Sequence, residues 1–254
     1  MKQTKVITLI FLLATFLVKS QSLFDKGQLT YFIGAKTVPL KTNDFEDFHI
    51  SDWESFGLGP QEGRVFVPLA SSEPKNSIGI VLGANYAFTE KIEGLIEFSY
   101  APGDFNTTQL LFGANYFFFT KDKFRFGYSG KIGYGTASSN FGEIEILPGK
   151  TPPVILSEGT FNEGDDLRME ISTTTIFLGF TSNYTINEKI GLFTNLGYAL
   201  SIGSKAVIEA SETEIPLNSS GIVKPDGSST QANINPSVKI QGIDLSVGIT
   251  YNFN

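Results

Sequence analysis

The chain has 254 residues, of which 41% are hydrophobic, and its formal net charge is −7. The length and apolar content suffice for one large domain or two small ones. The acidic balance excludes the basic surface of a nucleic-acid-binding protein, and the absence of cysteine excludes disulfides and thiolate chemistry. No long apolar run follows residue 20, which excludes a helical membrane protein.

Residues 1–20 have the features of a secretory signal. Lys2 and Lys5 form a positive N-terminal region, and residues 6–18 form an apolar run that is short for a membrane span. Cleavage is predicted between residues 20 and 21 or between 22 and 23, and an uncleaved N-terminal anchor is the alternative. The signal contains three lysines and no acid, so its removal takes the net charge from −7 to −10. The remainder is predicted to form one domain over residues 27–253.

Beyond the signal, apolar and polar residues alternate, which predicts strands because successive side chains of a strand point to opposite faces. Short turns separate some of these strands, and long polar segments at 37–76, 138–168 and 202–236 separate others. The eight predicted strands are residues 28–36, 77–88, 92–101, 107–119, 124–137, 169–186, 190–201 and 237–253.

An internal repeat supports this division. Every even-numbered strand ends on Tyr-x-Phe or Tyr-x-Ile, beginning at Tyr86, Tyr116, Tyr184 and Tyr251. Strands that share an ending run in the same direction and meet the same rim. Turns of three or four residues lie on that rim, and the long segments lie on the other, together with one short turn at 102–104.

The alternation alone allows an apolar lumen, as in a soluble lipocalin-like barrel, or an apolar exterior. Eight strands enclose space only for side chains or one small ligand, so roughly forty large apolar side chains would not fit inside. The opposite face carries mainly glycine and asparagine. We therefore predict an all-β fold, a closed antiparallel eight-stranded transmembrane β-barrel whose apolar face meets lipid.

Charged residues also fall on the predicted inner face. They are Lys36, Glu93, Glu97, Arg125, Lys131 and Asp244. Three are positive and three negative, and buried charges are costly unless they are paired. Glu93 or Glu97 is expected to reach Arg125 or Lys131. Structural salt bridges are the first interpretation of this cluster, and a small polar conduit is the second.

The signal, the eight amphipathic strands, the alternating turns and loops and the aromatic end at Tyr251 and Phe253 together resemble the small outer-membrane β-barrels of Gram-negative bacteria, the OmpA membrane-domain and OmpX group. The resemblance implies localisation in that outer membrane, with short turns in the periplasm and long loops outside. It also implies a monomer, inserted by an assembly machinery that recognises a terminal aromatic strand. Tyr251 and Phe253 match that signal, although Asn254 follows them. Lipid and lipopolysaccharide are the expected neighbours, the latter bridged to the acidic loops by divalent cations.

Little in the chain suggests catalysis. The only histidine, His49, lies in the first long segment within an aromatic cluster that includes Trp53. This cluster could grip a ligand or pack the loop onto the rim. The acidic residues at 162–166 lack the spacing of a calcium loop, so neither a metal nor a cofactor is expected.

The predicted function is therefore a non-enzymatic structural or surface-interaction role. The alternative is a narrow channel or transporter for a small polar or apolar solute, as in OmpW-like barrels. This alternative predicts a conductance that is lost when Glu97 and Arg125 are neutralised together. A third hypothesis is a lipid A-modifying hydrolase, in which His49→Ala would abolish lipid modification.

Overall fold

The computed structural model describes residues 26–43, 48–50, 65–67, 76–143, 154–155, 160–162, 164–210, 213–215, 222–223, 229–230 and 237–252. Eight long strands dominate these ranges. They are β1 (Leu29–Val38), β2 (Ser77–Ala87), β3 (Ile92–Ala101), β4 (Asn106–Lys121), β5 (Phe124–Glu143), β6 (Asp166–Thr185), β7 (Ile190–Ala210) and β8 (Gly242–Asn252). Within the described ranges, no helix is long and apolar enough to cross a membrane.

Each strand pairs antiparallel with its neighbours in sequence, and β8 pairs with β1 to close the ring. The closing seam runs from the pair Thr30 and Asn252 to the pair Lys36 and Ser246. Closure leaves no exposed sheet edge among the paired segments, as a strand fold in lipid requires. The predicted fold class, an all-β closed barrel of eight antiparallel strands, is confirmed.

Two of the short turns at one rim are built by side-chain acceptors at their first position. The Thr89 hydroxyl accepts hydrogen bonds from the backbone N–H groups of Lys91 and Ile92. The Asn187 side-chain oxygen accepts equivalent bonds from Lys189 and Ile190. Threonine and asparagine favour such turns because they bond the backbone two or three residues on. The repeated sequence at these strand ends thus reflects a repeated turn.

Several strands extend beyond their predicted ends. The prediction ended the fifth strand at residue 137 and the seventh at 201, whereas β5 reaches Glu143 and β7 reaches Ala210. The outer part of β5 carries polar residues on its exposed face, at Ser138 and Asn140. On β7 the alternation is broken by a register shift opposite Ser172 and Thr174, while backbone pairing continues. β5, β6 and β7 consequently project beyond the other strands at the rim of the long loops.

The prediction of one continuous last strand over residues 237–253 is wrong. The structure has two strands, Ser237–Ile240 and β8, separated at Gln241. Ser237–Ile240 pairs with Leu40–Asn43, which follows β1 after Pro39. Gly242 opens β8 with a positive φ of 144°, a conformation that favours glycine. The break is therefore a bend at which the paired strands Leu40–Asn43 and Ser237–Ile240 turn away from β1 and β8.

Short strands also lie outside the barrel. They are Phe48–Ile50, Val65–Val67, Val154–Ile155, Thr160–Phe161, Thr213–Ile215, Ile222–Val223 and Ser229–Thr230. The His49 backbone pairs with Phe66 and Val223, but its side chain is outside the described part of the chain. The signal at 1–20, Trp53, Phe253 and Asn254 also lie outside the described residues.

Candidate functional site

The lumen contains an ion-pair network that joins four strands. Glu97 on β3 accepts two charged hydrogen bonds. Its Oε1 lies 2.7 Å from Nζ of Lys36 on β1, and its Oε2 lies 2.6 Å from Nζ of Lys131 on β5. Lys36 also contacts Asp244 on β8, with 3.2 Å between Nζ and Oδ2. All four side chains are almost completely buried. One carboxylate thus serves two ammonium groups, and the other carboxylate completes the charge balance.

A second ion pair lies nearer the rim of the short turns. Arg125, close to the start of β5, donates from Nη1 to Glu93 Oε1 at 2.6 Å. Its Nη2 donates to the backbone carbonyl of Glu90 in the β2–β3 turn at 3.0 Å. This pair anchors a turn to the barrel wall. The structure therefore brings all six sequence-predicted lumen residues into the interior, as one group of four and one pair.

Aromatic rings complete the surroundings of two of these cations. The Arg125 guanidinium carbon lies 3.7 Å from the centre of the Phe117 ring. The Lys131 ammonium lies 4.5 Å from the centre of the Phe177 ring. A ring face attracts a cation within about 6 Å, and the attraction is stronger away from water. The six-residue prediction missed both phenylalanines, although each falls on the inner face by simple alternation.

The lumen is also less polar than predicted. Phe32, Val81 and Phe193 form a buried apolar cluster on β1, β2 and β7, and the two rings meet edge to face with centres 5.2 Å apart. Aromatic side chains occupy the room that lumen glycines provide: a Cβ added to Gly83 would collide with the Phe32 ring. The sequence predicted a narrow polar lumen with mainly glycine and asparagine beside the charged residues, and the structure adds this apolar cluster to it.

The outer surface of the barrel is an apolar belt. Large apolar side chains are exposed on all eight strands, for example Ile33 (61%), Ile78 (69%), Leu178 (65%) and Ile243 (67%). Charged and amide side chains occupy the alternate, buried positions of the same strands. This pattern is the inverse of a soluble barrel. A continuous apolar exterior around a closed sheet is the surface that meets the hydrocarbon of a membrane.

No family model matches the chain, and no curated protein matches it. Several solved structures are similar to the chain at low identity. The attachment invasion locus protein Ail of Yersinia pestis is 10% identical over 90% of this chain and 99% of its own, with a TM-score of 0.39. OprG of Pseudomonas aeruginosa is 13% identical over 91% and 97%, with a TM-score of 0.40. The protease OmpT of Escherichia coli is 10% identical over 89% and 97%, with a TM-score of 0.39.

The closed ring of strands and its apolar belt indicate the membrane in which the barrel lies. An even number of antiparallel strands, an apolar outer band and short turns at one rim are the features of bacterial outer-membrane barrels. The barrel spans the outer membrane of a Gram-negative bacterium. In such barrels the short turns face the periplasm, which makes the rim with the Thr89 and Asn187 turns the periplasmic rim.

Aromatic side chains mark both boundaries of the belt. Near the periplasmic rim the outward-facing rings are Tyr86, Phe88, Tyr116, Phe118, Phe124, Tyr184 and Tyr251. Towards the other rim lie Tyr100, Tyr134 and Tyr198, and the Tyr134 hydroxyl donates to Ser172 Oγ at 2.6 Å. Above this bond the outward positions of β5 and β6 become polar. Amphipathic rings suit the water boundary of the membrane.

The outer mouth of the lumen is covered by the ribbon of Leu40–Asn43 and Ser237–Ile240, here called the strap. Ile240 is 1% exposed, and a Cβ added to Gly135 on β5 would lie 2.9 Å from its Cδ1 atom. β5 lies three strands from β8 around the ring, so the Ile240 side chain fills the lumen at the level of Gly135. The Ser201 hydroxyl on β7 holds the strap through two hydrogen bonds. It accepts one from the Ile240 N–H at 2.8 Å and donates one to the Ile240 carbonyl at 3.0 Å.

Ser201→Ala should loosen the strap. The substitution leaves the Ile240 N–H and carbonyl without their partner, which costs about 1–3 kcal/mol for a buried polar group. We expect amide hydrogen exchange at Ile240 to accelerate by about ten-fold or more, since about 1.4 kcal/mol corresponds to a factor of ten. Ser99→Ala, which removes a lumen hydroxyl bonded to Gln109, is the control and should leave exchange at Ile240 unchanged. Unchanged exchange in Ser201→Ala would show that the strap is held by other contacts.

Below the strap, a cavity of about 10 Å³ remains beside Glu97. Asn85, Asn115, Asn183 and Asn195 line it together with the apolar rings. The Oδ1 atoms of Asn85 and Asn115 are buried and accept no hydrogen bond from the described residues. A site that holds one water needs roughly 10–15 Å³ and polar partners. The cavity therefore suits a single water and is too small for a solute.

Proposed function

We propose that this protein is a non-enzymatic outer-membrane barrel that conducts no solute and has a structural or surface-interaction role at the cell surface. The observation that carries the proposal is the filled lumen. The pair Arg125 and Glu93 occupies the periplasmic end, the Lys36–Glu97–Lys131–Asp244 network the middle, and the strap the outer mouth. A barrel of eight strands filled in this way acts as a rigid membrane anchor.

The outer half of the molecule supplies the surface for contacts. β5, β6 and β7 project beyond the belt, and the outward side chains of β5 and β6 there are polar, including Asn140, Arg168 and Glu170. The long acidic loops attached to this projection would contact lipopolysaccharide through divalent cations or bind a partner at the surface. The proposal includes insertion by the outer-membrane assembly machinery, aided by Tyr251, and a monomeric barrel.

Planar-bilayer recording tests the proposal. We expect the folded wild-type barrel to give no conductance above the bare bilayer, because side chains fill the lumen and the cavity beside Glu97 holds about one water. An open porin inserted in the same bilayer is the positive control. Heat-modifiable migration on a denaturing gel verifies folding before each recording.

A narrow conduit is the alternative, and the asparagine oxygens without partners beside Glu97 favour it. Its signature is a wild-type conductance that disappears in the Glu97→Gln/Arg125→Gln double variant. That result would overturn the proposal of a non-conducting anchor.

Hydrolysis of lipid A would contradict the non-enzymatic role. Among the described residues, no group of three or more His, Asp or Glu side chains is placed to hold a metal ion. The backbone of His49 lies in a four-stranded sheet, between Val65–Val67 and Ile222–Val223. Wild-type protein incubated with lipid A is expected to release no fatty acid. Release that vanishes in His49→Ala would assign the enzymatic function instead.

A further inference from the structure

The apolar belt carries a groove of about 430 Å³ on the outer face of β3 to β6. Its floor is Ala114 on β4 and Gly130 on β5, which are paired with each other. Ile92, Tyr116, Tyr128 and Leu178 form its sides. The volume falls within the range of about 300–1,000 Å³ that is usual for small-molecule sites. The belt therefore contains a recess of ligand size that faces the membrane.

The groove is rigid on its periplasmic side. The Tyr128 ring lies 4.8 Å from Phe118 and 5.5 Å from Phe180, and Phe126 stacks on Phe180 with 5.6 Å between ring centres. On the β3 flank of the groove, the Phe88 ring lies over Gly94, where an added Cβ would come within 2.7 Å of it. Packed rings keep the recess from collapsing, so its shape does not depend on a ligand.

Cationic side chains lie where the groove meets the periplasmic boundary. Lys91 directly precedes Ile92 and is exposed, and its carbonyl accepts from the Phe117 N–H at 2.8 Å, which holds it against β4. Lys121 and Lys123 are exposed at the tip of the β4–β5 hairpin. The nearby acids are Glu90 and Asp122, so these two turns have a net charge of +1. The tyrosines at the groove place this end at the level of lipid headgroups.

We propose that this groove binds one anionic glycerophospholipid of the periplasmic leaflet. An acyl chain lies over Ala114 and Gly130 between the two tyrosines, and the phosphate lies at Lys91, with the hairpin lysines adding to the local positive potential. Anionic headgroups are attracted by basic residues at a membrane surface. The proposal concerns the lipid-facing surface and is independent of whether the lumen conducts.

Spin-labelled phosphatidylglycerol and phosphatidylcholine, titrated into the refolded full chain in vesicles, test the proposal. We expect wild type to retain a motionally restricted phosphatidylglycerol with several-fold preference over phosphatidylcholine. Ala114→Leu/Gly130→Leu fills the groove and should abolish the preference; the Gly130 position has room, since an added Cβ meets only Leu178 at 3.7 Å. Ala35→Leu, an exposed outward position on β1, is the control and should keep the preference. Lys91→Gln/Lys121→Gln/Lys123→Gln should bind both lipids equally.

Two results would overturn the proposal. One is a phosphatidylglycerol preference that survives in the groove-filled variant. The other is equal binding of both lipids, or stronger binding of phosphatidylcholine, by the wild type. Conductance recordings are unaffected by either result, so a failure here is distinct from a failure of the non-conducting anchor.

Discussion

Glu97→Gln should destabilise the barrel by about 3–5 kcal/mol, because removing one member of a buried ion pair leaves its partners charged and unpaired. Glu97 contacts both Lys36 and Lys131 within 2.7 Å, and its side chain is 1% exposed. Without it, Lys36 retains Asp244, and Lys131 retains only the Phe177 ring among the contacts described above. Urea-induced unfolding from lipid vesicles, followed by gel mobility, measures the change.

Two variants sharpen this result. Glu170→Gln makes the same substitution in the exposed pair of Arg168 and Glu170, 3.4 Å apart, and should cost no more than about 1 kcal/mol. Adding Lys131→Met to Glu97→Gln removes the buried Lys131 charge that lost its carboxylate partner, and should recover part of the lost stability. Equal effects of Glu97→Gln and Glu170→Gln would mean that the lumen network is hydrated in the membrane-bound protein.

Ile132→Arg should also be strongly destabilising, although the side chain is 53% exposed. On the surface of a soluble protein such a change usually alters stability by less than about 0.5 kcal/mol. On the lipid face of an outer-membrane barrel, arginine costs about 2–4 kcal/mol at the middle of the membrane and less towards its boundaries. Ile132 lies inside the belt, one outward position from the boundary residue Tyr134, so we expect a cost of about 2 kcal/mol. Unfolding from vesicles of fixed composition measures the difference.

Asn140→Arg is the matched control for Ile132→Arg. Asn140 lies on the same strand and the same face, above the belt, and is exposed. Arginine there should be neutral within about 0.5 kcal/mol. Similar effects at both positions would contradict the placement of the belt in lipid.

The barrel could be predicted from the sequence because one periodic signal fixes most of it. Alternation assigns each residue to one of two faces, and eight strands are too few to enclose the apolar face. The same alternation places Lys36, Glu97 and Lys131 inside, and pairing β3 with β4 and β4 with β5 brings Glu97 within reach of Lys131. For Glu93 the sequence predicted either Arg125 or Lys131 as the partner, because side-chain length alone does not decide between them.

Features that depend on distance around the ring could not be predicted in this way. Contact between Ile240 and Gly135 joins residues three strands apart, and alternation says nothing about where a ribbon bends inward. The bend follows from Pro39 and the positive φ of Gly242. The apolar pattern runs through residues 237–253 without a break and therefore gives no sign of the bend. The groove over Ala114 and Gly130 arises because small outward residues on adjacent strands come into register, which requires the observed pairing.

Spin labels on single cysteines can show whether alternate residues of β8 face lipid and lumen, since the chain contains no cysteine. In lipid vesicles, labels at Leu245, Val247 and Ile249 should collide often with oxygen and seldom with a water-soluble nickel complex. Labels at Ser246 and Thr250 should collide seldom with either. If the outward labels were instead as accessible to nickel as a water-exposed site, or if accessibility did not alternate along β8, the apolar belt would not lie in a membrane.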